Sequence, residues 1–149
     1  MRMSIAIPTY ESKGRSVEFL DDLFRTIEIQ TFKDFEVVVS DHSRDDKLVD
    51  VIDDFQYKFD IKYVKNKNDL GNGPANTNNA IRNCSGDIIK VMFQDDFFYD
   101  DEALQKIHDS FNGEHDWLVC GSNHTQDDGN NFYWDLYPRW NDNIIRGVN

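Results

Sequence analysis

Short apolar, β-branched runs alternate with stretches of helical spacing from Ser4 to Gly121, and few architectures accommodate that order. Ser4-Ile5-Ala6-Ile7-Pro8 reads as a buried strand closed by its proline. From Arg15 to Gln30, Val17, Leu20, Phe24 and Ile27 recur at helical intervals, with Phe19 and Leu23 widening the stripe. Asp34 to Ser40 is a second strand, Leu48, Val51, Ile52 and Phe55 mark a second helix, and Ile61-Lys62-Tyr63-Val64 is a third strand. An Asn/Gly-rich stretch, Asn66 to Asn79, passes into a short helix carrying Ala80, Ile81 and Cys84, with Gly86 as its expected stop. Asp87 to Phe93 predicts a fourth strand, Ala103, Leu104, Ile107 and Phe111 a further helix, and Asp116 to Gly121 a fifth strand. This order implies βαβ units, right-handed crossovers and an α/β chain with a mostly parallel sheet flanked by helices.

At 149 residues, with no internal repeat, low-complexity tract or Pro/Gly linker, the chain is expected to form one domain. A hydrophobic fraction of 39%, including 11 Phe, 6 Tyr and 3 Trp, excludes wholesale disorder. The net charge of −12 argues against general binding to nucleic acid or anionic lipid. It leaves room for a phosphate-bearing small molecule held through a divalent cation. Cys84 and Cys120 lack metal-ligand spacing and are read as small buried side chains of a reducing compartment. With no signal-like leader and no membrane-length apolar run, a cytoplasmic location is expected.

In an open parallel sheet, ligands bind beyond the carboxyl ends of the strands. Three such ends are polar here: Pro8-Thr9-Tyr10-Glu11, Ser40-Asp41-His42-Ser43 and Gln94-Asp95-Asp96. Asp95 and Asp96 would repel each other unless a cation neutralises them, and hard oxygen ligands suit Mg²⁺ or Mn²⁺. The bland alternative is a solvated acidic turn, and Asp100 and Asp101 are read as caps of the following helix. Asp41 is either an acceptor for a nucleobase N–H, with Tyr10 stacking nearby, or a helix cap, a role for which Ser43 and Asp45 are better placed. The asparagines from Asn66 to Asn79, Asn78 among them, offer amides to sugar or phosphate, or simply build a turn-rich loop. His42, His108, His115 and His124 show no zinc-site spacing, and no nucleophile elbow is present.

Taken in order, Ile5 to Tyr10, then Gln30 to Ser43, then Gly86 to Ile89 leading to Gln94-Asp95-Asp96 resemble the family-2 nucleotide-sugar glycosyltransferases over about residues 3 to 112. The Gln30–Glu36 segment is telling, because no chemical role would make it recur by convergence. The resemblance implies the Rossmann-like GT-A fold and metal-dependent, inverting transfer from a nucleoside diphosphate sugar, expected to be a UDP-sugar, to a saccharide or other hydroxyl acceptor. By position, Pro8, Thr9, Tyr10, Glu11, Ser43 and Asn78 would border the donor, and Asp41 would bind its base. Asp95 would contact ribose or sugar and join Asp96 at Mn²⁺ or Mg²⁺, with Asp96 serving catalysis through that ion.

Phe93 stands where the family often has the first Asp of Asp-x-Asp, Ser40 where an Asp is common, and Thr77-Asn78 where Arg-Asn is usual. Family members generally run longer, which implies a truncated or naturally short chain: donor-binding residues to about 121, then a partial acceptor-side region over 122–149. No general base is identified; Asp127 and Asp128 are weak candidates. Three alternatives carry other functions: a nucleotide- and metal-binding module without turnover, a nucleotidyltransferase, and a receiver-type domain. Lys13-Gly14-Arg15 is a poor match to the basic loop of the second, and Pro8-Thr9-Tyr10 counts against the third.

Overall fold

The computed structural model describes residues 1–11, 14–111, 113 and 115–122, together with the backbone of 124–125 and 132–133. Two compact units divide the chain, 1–112 and 113–149. The first contains β1 (Met3–Thr9), α1 (Ser16–Glu28), β2 (Phe35–Asp41), α2 (Leu48–Phe55), β3 (Asp60–Lys65), α3 (Gly73–Arg82), β4 (Ile88–Val91) and α4 (Ala103–Ser110). Its four strands form a wholly parallel sheet in the order β3-β2-β1-β4. Described residues of the second unit include a short antiparallel pair, β5 (His124–Thr125) with β6 (Phe132–Tyr133).

The two faces of the sheet differ because side chains alternate along each strand. Met3, Ile5 and Ile7 of β1 and Phe35, Val37 and Val39 of β2 join Leu20, Leu23, Phe24 and Ile27 of α1 and Leu48, Val51, Ile52 and Phe55 of α2 in one apolar core. Phe24 meets Phe55 and Phe59 edge-on, with ring centroids 5.2 and 5.5 Å apart. The opposite face carries Ser4, Ala6, Glu36, Val38 and Ser40, and there α3 contributes buried Asn76 and Ala80. Helix α3 starts earlier than periodicity suggested, because Asn72 caps it by accepting the Ala75 N–H at 3.1 Å and Pro74 occupies its first turn.

Several expectations need correction. Gly86 does not stop α3, which ends at Arg82; instead it lies against β1. A Cβ there would fall 2.7 Å from Ser4 Oγ and 2.8 Å from the Met3 and Ser4 backbone. Val17 is exposed, so the α1 stripe runs through Leu20, Leu23, Phe24 and Ile27. The fourth strand is four residues long, lies at an edge of the sheet and exposes Ile89. Asp116 to Gly121 forms no strand: Trp117, Leu118 and Val119 are exposed, and a strand needs a ladder partner that apolar content alone does not supply. Cys120 is exposed rather than buried, Cys84 is partly buried, and both are free thiols. No described helix is long and apolar enough to cross a membrane.

Gly86→Ala is expected to destabilise the first unit by about 1–3 kcal/mol, since the added methyl meets backbone rather than a flexible tip. Urea unfolding measures it, and a loss under ~0.5 kcal/mol would show that β1 yields easily.

Candidate functional site

With strands in the order β3-β2-β1-β4, the chain reverses direction across the sheet between β1 and β4, where α/β folds open a crevice. A cleft of about 360 Å³ is lined by Tyr10 and Glu11 after β1, His42, Arg44 and Asp45 after β2, and Leu70 and Gly71 after β3. Tyr10 and Glu11 were anticipated as donor-site residues; His42, Arg44, Asp45, Leu70 and Gly71 were not. A signal existed in Leu70, an apolar residue stranded in an Asn/Gly loop and half-exposed in the structure. Arg44 makes no ion pair among the described residues, whereas Asp45 pairs with Lys47 at 2.9 Å.

Asp41 lies behind this cleft, fully buried at the end of β2. Its Oδ1 accepts the Ser43 N–H at 2.7 Å and lies 3.4 Å from Thr9 Oγ1. Its Oδ2 accepts the Tyr63 hydroxyl at 2.7 Å and the Lys65 ammonium at 3.0 Å. Burial pushes the Asp41 carboxyl up, but the donors of Ser43, Tyr63 and Lys65 outweigh it and hold the group below the ordinary aspartate range. Tyr63 shifts upward in turn, through burial and the carboxylate beside it. Lys65 also bonds the Asp45 carbonyl and pairs with Asp46 at 3.2 Å, which ties the loop after β2 to β3.

The remaining candidates have varied surroundings. Pro8 and Thr9 are buried within β1. Glu11 accepts the Gly14 N–H at 2.6 Å and the Ser16 hydroxyl, so its carboxylate holds the loop ahead of α1. Ser43 does not cap α2, whose N-cap is Lys47; its hydroxyl is buried without a hydrogen bond of good geometry. Asn78 is exposed on α3, outside the cleft lining. Asp100 accepts the Glu102 N–H at 3.1 Å just ahead of α4, while the Asp101 carbonyl accepts the Thr31 N–H at 2.7 Å. Asp127 and Asp128 lie outside the described residues.

Asp95 and Asp96 sit in an exposed turn after β4. The turn is closed by the Asp96 N–H to the Phe93 carbonyl at 3.0 Å and the Phe93 N–H to Asp96 Oδ2 at 3.2 Å. Gln94, between exposed neighbours, turns inward and is buried. Of the asparagines of the 66–79 stretch, Asn68, Asn72 and Asn78 are exposed, whereas Asn66 and Asn76 are buried and Asn79 is partly buried. The Asn76 amide donates to the Thr9 and Ser40 carbonyls at 3.0 and 2.9 Å and accepts the Ser40 hydroxyl at 2.6 Å. Asn79 donates to Ser40 Oγ at 2.8 Å. Ser40, where the resemblance expects an Asp, thus anchors α3.

A lowered carboxyl pKa stabilises the fold above the unfolded value, about 3.9, and that stability is lost as pH falls through the folded one. Asp41→Asn should therefore cost about 1–3 kcal/mol at pH 7, and the variant's stability should fall less steeply than the parent's below about pH 4. Urea unfolding across a pH series measures both; equal slopes in parent and variant would assign the acid sensitivity to another carboxylate.

The sequence profile described as glycosyl transferase family 2 matches residues 4–147. GalNAc(5)-diNAcBac-PP-undecaprenol beta-1,3-glucosyltransferase of Campylobacter jejuni is 32% identical over 96 residues, 64% of this chain. YfnE of Bacillus subtilis, an uncharacterized glycosyltransferase, is 27% identical over 121 residues, 81% of this chain. The chain spans 30% of the length of each of these relatives. Residues 1–349 of Staphylococcus aureus TarS in complex with UDP share the fold, with a TM-score of 0.65 at 23% identity over 73% of this chain and 31% of that one. The TarS complex with UDP-GlcNAc gives the same TM-score and identity, over 73% of this chain and 30% of that one. The four-stranded parallel sheet with its flanking helices is the GT-A arrangement that the resemblance implied. With the profile matched along almost its whole length, the chain belongs to glycosyl transferase family 2.

Proposed function

We propose that this chain forms the donor-binding part of a glycosyltransferase that uses a UDP-sugar, a divalent cation and a hydroxyl acceptor, and that inverts the anomeric centre. The observation that carries this reading is the convergence of the Tyr10-lined cleft, the Asp41 cluster and the Asp95–Asp96 turn at one end of the sheet. TarS structures holding UDP and UDP-GlcNAc support uridine as the base. Tyr10, half-exposed at the cleft, offers a ring for the base to stack on.

The chemistry of the 95–96 turn fits Mg²⁺ or Mn²⁺: two adjacent carboxylates, both exposed, present hard oxygens. Among the described residues no group of three His, Cys, Asp or Glu side chains could hold an ion unaided. Asp95 and Asp96 would therefore share the cation with diphosphate oxygens. The bound cation would act as a Lewis acid, offsetting charge on the departing UDP.

In the proposed reaction the acceptor oxygen bonds to the anomeric carbon from the face opposite UDP. The bond from that carbon to the β-phosphate oxygen breaks, and the hydroxyl proton passes to a general base that is not assigned among the described residues. Arg44, which lines the cleft and makes no ion pair among the described residues, is suited to hold the nucleotide's negative charge.

The chain's charge of −12 opposes a bare diphosphate, so UDP affinity should fall at least about tenfold when chelator replaces Mn²⁺. Calorimetric titration with uridine, guanosine and thymidine diphosphates, each with and without Mn²⁺, tests this. Equal UDP affinity in chelator would remove the metal from the reading, and no preference among the bases would remove uridine.

A further inference from the structure

Backbone pairing stops at different heights on the two sides of β1. Against β2 it runs to Thr9↔Asp41, but against β4 it ends at Ala6↔Val91, followed by the Met92 N–H to the Ala6 carbonyl at 3.0 Å. Beyond that point no further ladder pair joins the β1 and β4 segments, at the crevice where the order of strands reverses. The Gln94 side chain crosses it. Its Oε1 accepts the Tyr10 N–H at 2.9 Å and its Nε2 donates to the Tyr10 carbonyl at 2.8 Å. One amide therefore satisfies both backbone groups of Tyr10, as a neighbouring strand would.

Tyr10 is 55% exposed while Gln94 is buried, so the two bonds satisfy the buried amide as well as the Tyr10 backbone. The pairing also fixes geometry. The 93–96 turn is closed on itself by the Phe93–Asp96 bonds, so it moves as a unit, and Gln94 ties that unit to the residue whose ring lines the cleft. A link of two hydrogen bonds sets both distance and orientation, as one bond does not.

We infer that Gln94 is a positioning residue that couples the two halves of the donor site, holding the Asp95–Asp96 turn at the spacing from Tyr10 that one nucleoside diphosphate spans. This rests on the nucleotide reading above. When both halves are prealigned, a ligand that touches both gains from both at once. Without the link each half still binds its own part of the ligand, but the joint gain falls.

The test is Gln94→Met in the 149-residue chain, which keeps side-chain length and apolar bulk while losing both hydrogen bonds. Should that variant not fold, Gln94→Ala, which also loses both hydrogen bonds and opens the Tyr10 backbone groups to water, is read by the same criteria. Calorimetry compares uridine alone with UDP plus Mn²⁺, and amide hydrogen exchange follows the Tyr10 N–H. The expected result is faster Tyr10 exchange, uridine affinity within about twofold of the parent, and UDP–Mn²⁺ affinity weaker by about tenfold, or ~1.4 kcal/mol. Unchanged UDP–Mn²⁺ affinity with Tyr10 exchange accelerated overturns the coupling, as does loss of uridine and UDP affinity by one common factor, the mark of structural support alone. A parent that binds no UDP overturns the nucleotide reading and this one with it, and is told apart because the failure then lies in the unmutated chain.

Discussion

The carboxamide of Asn76 is the joint on which the ligand-facing end of the sheet depends. It is almost fully buried, and its donors and acceptor are all used: the Thr9 carbonyl, the Ser40 carbonyl, the Ser40 hydroxyl and, at 3.2 Å, the Asn66 amide. Thr9 and Ser40 lie where β1 and β2 run out; the Thr9 carbonyl also accepts the His42 N–H at 3.0 Å, so the Asn76 amide reinforces the end of the ladder. One side chain on α3 thereby fixes the departure of the loops after β1 and β2, and through Asn66 the loop after β3. Those three loops line the cleft.

A second bracket works from the segment between α1 and β2. Gln30 is fully buried; its amide donates to the Thr26 and Asp100 carbonyls at 3.0 and 2.7 Å and accepts the Leu104 N–H at 3.0 Å. Thr31 binds the Asp101 carbonyl, Phe32 stacks on His108 with centroids 4.7 Å apart, and the Met3 N–H reaches the Asp34 carbonyl at 3.0 Å. Glu36 then accepts the hydroxyls of Ser4 and Ser85 at 2.6 and 2.9 Å. Burial raises its carboxyl, but these donors prevail and keep it below the usual glutamate range. The Gln30–Glu36 motif therefore has an explanation in folding: it clips α4 and the loop before it to the sheet edge, with no part in chemistry required.

What was legible in the sequence follows from how far each signal reaches. Periods of 2 and 3.6 are local, and they located α1, α2, α4 and the strands of the sheet within a few residues. The polar strand ends were legible as residue types, because a buried apolar run closing on Thr9, Asp41 or Asp95 is conspicuous. Partners were not legible: Gln94 meets Tyr10 across 84 positions and Gln30 meets Leu104 across 74, and no local pattern encodes such a pairing. The same limit explains Gly86, read as a helix stop when its neighbour is β1, and the 116–121 run, whose apolar content promised a strand that no described partner completes.

Strand β2 is buried along its whole length, and it carries a carboxylate near its start, Glu36, and another at its end, Asp41. The two are five positions apart, an odd number, so they point to opposite faces. Each is met by donors that exist at one place only: Ser4 and Ser85 for the first, Tyr63 and Lys65 for the second. Sliding β2 by a single residue would turn Glu36 into the apolar core and strand Asp41 on the wrong face, two uncompensated buried charges at once. Shifting by two would restore the faces but miss the donors. The three valines between them are interchangeable as packing and would tolerate either slip. Alignment of the central strands therefore comes from the costliest groups they bury, and β2 is held against misalignment by charge.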